Sequence, residues 1–138
     1  VTFMCVENAG RSQMAEAIAE HECEKRGLSD HVEIRSAGTH PADEVAPIVV
    51  DVMMSEGFDF ADRSPSLVQL EELKTVDYLV TMGCYVSEFD PASFGVDSRE
   101  WVIQDPADQD PETVRGIRTE IEGRVGTLFD DIEASIPN

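Results

Sequence analysis

Lysine is almost missing from this chain: Lys25 and Lys74 stand alone in 138 residues, and acidic side chains outnumber basic ones 29 to 10. A net charge of −19 repels nucleic acid and anionic lipid, so neither is an expected partner. The acidic residues are spread along the whole chain instead of forming a tail, the pattern of a solvated surface adapted to high salt. At molar ionic strength the screening length falls to about 3 Å, and long-range repulsion of a small anion largely vanishes. Long apolar runs are missing too, since Ala46 to Met54 is broken by Asp51, and no membrane span is expected. No basic region followed by an apolar segment opens the sequence, so no secretory leader is expected. The three cysteines are odd in number and lack short disulfide spacing, which predicts reactive thiols in a reducing compartment, the cytoplasm. No paired Cys or His spacing predicts a metal centre. Repeats, linkers and low-complexity tracts are absent, so residues 1–138 are expected to form one domain and a monomer.

What is present is concentrated in one stretch, Cys5-Val6-Glu7-Asn8-Ala9-Gly10-Arg11-Ser12, between an apolar run, Val1 to Met4, and a helical pattern from Gln13. A strand, a tight loop and a helix N-terminus can aim successive backbone N–H groups at one spot and hold an anion there. Arg11 adds a planar fork of donors matched to a tetrahedral oxyanion. The same field would favour a negatively charged sulfur on Cys5, the nucleophilic form. Glu7, Asn8, Ala9, Gly10, Arg11 and Ser12 are therefore the expected oxyanion cradle. A nucleotide-binding loop does not fit, because the glycine spacing and the Gly-Lys-Ser/Thr ending are missing.

The remainder alternates strands and helices. Met14, Ala15, Ala17, Ile18 and Ala19 give the first helix an apolar face, with Glu16, Glu20, Glu22 and Glu24 outside and a stop near Gly27. Val32–Ser36 reads as a strand, and Asp43–Gly57 as a second helix with Pro47 in its first turn. Phe58–Ser66 reads as a polar connection. Val76–Met82 is the clearest buried strand, Glu100–Ile103 is another, and Pro111–Ile136 is a long helix. That order predicts an α/β fold, a parallel sheet of four strands with helices on both faces in three layers. Ligands of such sheets bind beyond the strands' carboxyl ends, where Cys5, Cys84 and Asp105 are all expected. Asp105, braced by Pro106, is the best-placed acid for protonating a departing oxygen.

Cys5-x5-Arg11-Ser12, Gln13-Met14-Ala15-Glu16, Ser36-Ala37-Gly38, Val80-Thr81-Met82-Gly83-Cys84 and Asp105-Pro106 together resemble the low-molecular-weight tyrosine phosphatase fold. Within it they resemble the thioredoxin-coupled arsenate reductases; the tyrosines that usually follow Asp-Pro in the phosphatase branch are missing here. The resemblance implies that Cys5 attacks arsenate held by Arg11, Ser12 and the loop amides, that Asn8 braces the loop, and that Asp105 protonates the leaving hydroxyl. It further implies that Cys84 then attacks Cys5, leaving a Cys5–Cys84 disulfide and arsenite. No cofactor is implied beyond an external thiol reductant such as thioredoxin, glutaredoxin or a small thiol. Some relatives hold a potassium ion; Asn8, Glu16 and Ser36 match that set, while Ser66 stands in its acidic fourth position. Two departures matter. Glu7 replaces the usual loop glycine, and Asp90, before Pro91, stands where a three-cysteine relay has its third thiol. Cys23 is the remaining candidate for that role.

Three activities compete for this pattern: arsenate reduction, phosphomonoester or phosphotyrosine hydrolysis through a cysteinyl phosphate, and oxyanion binding or redox sensing without turnover. A second thiol near the nucleophile suits the reductase and is unnecessary for the hydrolase.

Overall fold

The apolar run that opens the chain becomes β1 (Thr2–Cys5), with every residue buried. The computed structural model describes residues 1–84 and 90–136. β1 is flanked by β2 (Arg35–Gly38) and β3 (Tyr78–Thr81), and β4 (Asp97–Glu100) closes the sheet in the order β2-β1-β3-β4, all parallel. Successive strands lie on opposite sides of β1, so the crossovers diverge at its carboxyl end. The loop after Cys5 sits at that switch point, where an open α/β sheet leaves a crevice.

Alternation along the strands divides the core. Phe3 and Val80 face α1 (Arg11–Lys25), α2 (Pro47–Ser55) and α4 (Pro111–Ser135) in the larger cluster. Met4 and Leu79 face the other way, toward Leu73 of the short helix α3 (Leu70–Leu73) and Val96, which follows a 3-10 turn at Pro91–Phe94. The three-layer α/β/α arrangement is thus present, with one thin outer layer. α4 packs along α1 and α2. Its expected apolar positions Val114, Ile117, Ile121, Val125, Leu128 and Ile132 are all buried, and Phe129 joins them. Asp110 caps it, its Oδ1 accepting from Thr113 N at 2.7 Å, and Pro111 begins the first turn.

Several boundaries differ from the sequence reading. β2 lies later than Val32–Ser36 because its register is set by pairing with β1, from Thr2↔Arg35 to Cys5↔Gly38; Val32 and Ile34 pack on the core from irregular chain. β4 lies earlier than Glu100–Ile103. As an edge strand it needs only ladder bonds to β3, so its Asp-Ser-Arg-Glu sequence carries no apolar signal. Trp101 and Ile103 bury their side chains just past its end. α2 starts at Pro47, not Asp43, since the residue before proline is pushed out of the helical region: Ala46 has φ −54° and ψ 128°. α3 and the 3-10 turn were not anticipated. Glu16, expected outside, is only 19% exposed.

Replacing the fully buried Ile121 with alanine should cost about 2–5 kcal/mol in denaturant unfolding. Val102→Ala, at a site 78% exposed, should change stability by less than about 0.5 kcal/mol.

Candidate active site

The chain between β2 and α2 runs as a strap along the loop that follows Cys5. His40 N donates to Val6 O at 2.8 Å, Ala42 N to Glu7 O at 3.0 Å and Ala46 N to Ala9 O at 2.8 Å. The two edges of a trans peptide point opposite ways, so tying these carbonyls to the strap turns the amide edges away from it. α1 then starts at Arg11 with Gly10 as its N-cap and, among the described residues, no side-chain cap, which leaves the first-turn N–H groups for an anion.

Asn8 holds the turn from inside. It is fully buried, adopts φ 52°, a conformation that asparagine tolerates better than most residues, and uses both ends of its amide. Its Oδ1 accepts from Ser66 N at 2.9 Å and from Gln13 Nε2 at 3.1 Å, while Nδ2 donates to Ser12 Oγ at 2.6 Å. Ser12 Oγ lies 2.9 Å from Cys5 Sγ. With the sulfur as a thiolate the hydroxyl is the donor of that contact, since the anion has no proton to give.

Arg11 extends under the neighbouring loops. Its Nη1 donates to Ile103 O at 3.4 Å, and Nη2 lies 3.9 Å from Asp105 Oδ2. Two glycines make this approach feasible. A Cβ on Gly83, which has φ +77°, would sit 2.8 Å from Arg11 Nη1, and one on Gly10 would sit 2.7 Å from Pro106 Cγ. Cys5, Glu7, Gly10, Arg11, Glu44 and Asp105 line one cavity of about 360 Å³. Asp105 is 56% exposed on its rim, oriented by Ala107 N donating to Oδ1 at 3.0 Å. The cavity therefore combines a buried sulfur, a cation, helix-terminal amides and an open carboxyl group.

Cys84 lies three residues past β3, against the Met4, Leu73, Leu79 and Val96 cluster, and does not share the lining of that cavity among the described residues. Burial pushes its thiol up; a backbone hydrogen bond from Met82 opposes this, and Cys5 and Arg11 are both close enough to act on it, in opposite directions. Cys23 is buried near the far end of α1, about 18 Å along the helix axis from Arg11. Its thiol is also pushed up by burial.

The residues of the implied potassium set do lie together, but they do not fit a cation. Both acceptor positions of Asn8 Oδ1 are taken by N–H donors, and Ser66 contributes its amide. Glu16 Oε1 accepts from Ser36 Oγ at 2.9 Å and from Arg63 Nη1 at 2.7 Å. Burial raises the Glu16 carboxyl, while Ser36 and Arg63 pull it down. Sequence reasoning missed Arg63, Gln13 and the strap. The one available signal for Gln13 was a polar residue between Ser12 and Met14 on the inward face of α1; Arg63 could have been marked as a rare cation in an acidic chain.

The low molecular weight phosphotyrosine protein phosphatase family model matches residues 1–138. A Halobacterium salinarum protein described as "Putative arsenate reductase" is 52% identical over 129 residues, 94% of this chain and 89% of that protein. The thioredoxin-dependent arsenate reductase of Corynebacterium glutamicum superposes with a TM-score of 0.78 at 33% identity; 98% of this chain is covered, and it spans 62% of that one. An arsenate reductase from Archaeoglobus fulgidus superposes with a TM-score of 0.71 at 29% identity, over 92% of this chain and 96% of that one.

Gly83→Ala should force the Arg11 guanidinium aside and weaken phosphate binding about tenfold, measured by calorimetric titration. Since burial raises the Cys84 thiol, its thiolate fraction is small at neutral pH. In a Cys5→Ser, Cys23→Ser protein, iodoacetamide alkylation should accelerate about tenfold per pH unit from 7 to 8 and still be rising at pH 9.

Proposed function

We propose that this chain, which belongs to the low molecular weight phosphotyrosine protein phosphatase family, is an arsenate reductase whose own thiols supply the two electrons. The observation that carries the reading is the second thiol: Cys84 follows Gly83, whose Cα stands against the Arg11 guanidinium, beyond the end of the strand next to that of Cys5. Hydrolysis of a phosphoester requires one nucleophile and water. Reduction of arsenic from the +5 to the +3 state requires two electrons, and two thiols forming a disulfide release that number.

The chemistry of two thiols orders the steps. Arsenate enters the cavity and is held by Arg11 and the N–H groups at the start of α1. Cys5 Sγ attacks arsenic, with Ser12 donating to the sulfur in its anionic form. Asp105, in its protonated form, gives a proton to the departing oxygen, which leaves as water. Cys84 Sγ then attacks Cys5 Sγ; the S–S bond forms, the S–As bond breaks, and its electron pair stays on arsenic as arsenite leaves. The balance is two thiols and arsenic acid giving a disulfide, arsenous acid and water.

Resetting the enzyme falls to an external thiol acting directly on the Cys5–Cys84 disulfide. Asp90 occupies the place of a relay thiol and caps the 3-10 turn, its Oδ1 accepting from Ala92 N at 3.2 Å and Oδ2 from Ser93 Oγ at 2.9 Å. The position of Cys23 near the far end of α1 argues against it in that role. Residues 87–89, also part of the relay comparison, lie outside the described residues. A thioredoxin-like protein, a glutaredoxin or a small thiol satisfies the chemistry, as exchange requires only an attacking thiolate with access to one sulfur.

Reduced protein exposed to arsenate in molar salt should acquire a Cys5–Cys84 link by peptide mapping, and a phosphate-treated control should not. Cys84→Ser should abolish arsenite turnover while a single arsenic adduct remains on Cys5. Two free thiols after arsenate, together with unimpaired release of phosphate from an aryl ester by Cys84→Ser, would replace this reading with phosphomonoester hydrolysis.

A further inference from the structure

Glu16 carries a carboxylate into a half-buried position on α1, where an unpaired negative charge is costly. Arg63, 20% exposed, meets it with Nη1, reaches Glu20 Oε1 with Nη2 at 3.0 Å, and lies 4.9 Å above the centre of the Phe60 ring. The backbone just beyond Arg63 is fastened to the nucleophile loop. Ser64 O accepts from Gln13 Nε2 at 3.1 Å, and Ser66 N donates to Asn8 Oδ1. Gly38 N donates to Ser66 O at 2.8 Å, joining the same segment to the end of β2.

We propose that Arg63 is a built-in cation: a positioning residue whose guanidinium stands where a bound potassium would otherwise compensate Glu16, so that the Cys5 loop is held without any added ion. The chain of contacts runs from the Arg63–Glu16 pair through segment 63–66 and Gln13 to Asn8, then to Ser12 and Cys5. A tethered guanidinium satisfies two carboxylates at once and cannot dissociate, whereas the occupancy of an ion site follows the salt. Removing Arg63 leaves the Glu16 carboxylate with the Ser36 hydroxyl and a vacated space beside it, which a small monovalent cation can fill. The inference stands on packing alone and is independent of which oxyanion the enzyme turns over.

The test replaces choline chloride by potassium chloride at constant molar ionic strength and follows both the unfolding midpoint and the affinity for inorganic phosphate. The wild-type protein should show no saturable response to potassium. Arg63→Ala should melt about 5–10 °C lower in choline chloride and bind phosphate about tenfold more weakly. Both losses should be recovered at least half-way, saturably, as potassium replaces choline. Arg63→Lys should keep the wild-type indifference. A saturable potassium response in the wild type, or an Arg63→Ala protein as indifferent as the wild type, would overturn the proposal. Should Arg63→Ala fail to fold in choline chloride, adding Glu16→Gln removes the charge that demands a cation. That double variant should fold and ignore potassium, and a potassium response persisting in it would also overturn the proposal.

Discussion

Three backbone hydrogen bonds between the strap before α2 and the turn after β1 are the constraint on which the rest depends. A loop that presents N–H groups to an anion must put its carbonyls somewhere, and a carbonyl buried without a donor is expensive. The strap takes the carbonyls of Val6, Glu7 and Ala9. Asn8, held from Gln13 and Ser66, fixes the turn from the opposite side and holds the Ser12 hydroxyl beside the Cys5 sulfur. Strap and asparagine together make the loop's conformation part of the fold.

The electrostatics are local against a hostile background. Each arginine is engaged with at least one carboxylate, and Arg26 joins α1 to α4 through Glu22, Asp130 and Glu133. Among the described residues the cavity has one cationic side chain, Arg11, against Glu7, Glu44 and Asp105 on its lining. The donors on offer to an anion there are short-range ones, the guanidinium and the helix-terminal amides. These act inside the screening length of concentrated salt, while the exposed carboxylates are largely screened. A surface of net charge −19 and an anion site are compatible for that reason.

The two thiols have contrasting settings. Cys5 is 2% exposed at the end of the central strand, hydrogen-bonded to Ser12. Cys84 lies on the other core cluster, its thiol raised by burial and next to Gly83, whose positive φ breaks the strand direction. Under the proposed reading, a raised second thiol suits a two-step transfer, because premature disulfide formation would waste the electrons.

Much of this was legible in the residues. The strand–loop–helix around Cys5, the inward face of α4 and the four-stranded parallel arrangement follow from apolar periodicity and from glycine and proline punctuation, which are local signals. The polar edge strand β4 lies earlier than apolar periodicity predicts because an edge strand asks little of its side chains, and α2 begins later than its apolar pattern because Pro47 holds Ala46 out of the helical region. The strap, the inward turn of Glu16 and the Arg63 pairing were not legible, since each joins segments 20 to 47 residues apart and leaves no periodic trace. The sequence by itself determined which groups are on offer for chemistry, two strand-end thiols, an arginine and a carboxyl group, because side-chain type is local. Only the tertiary structure decided which carbonyls turn away, what cation faces Glu16 and which thiol stands within the field of Cys5, because those are distances between distant parts of the chain.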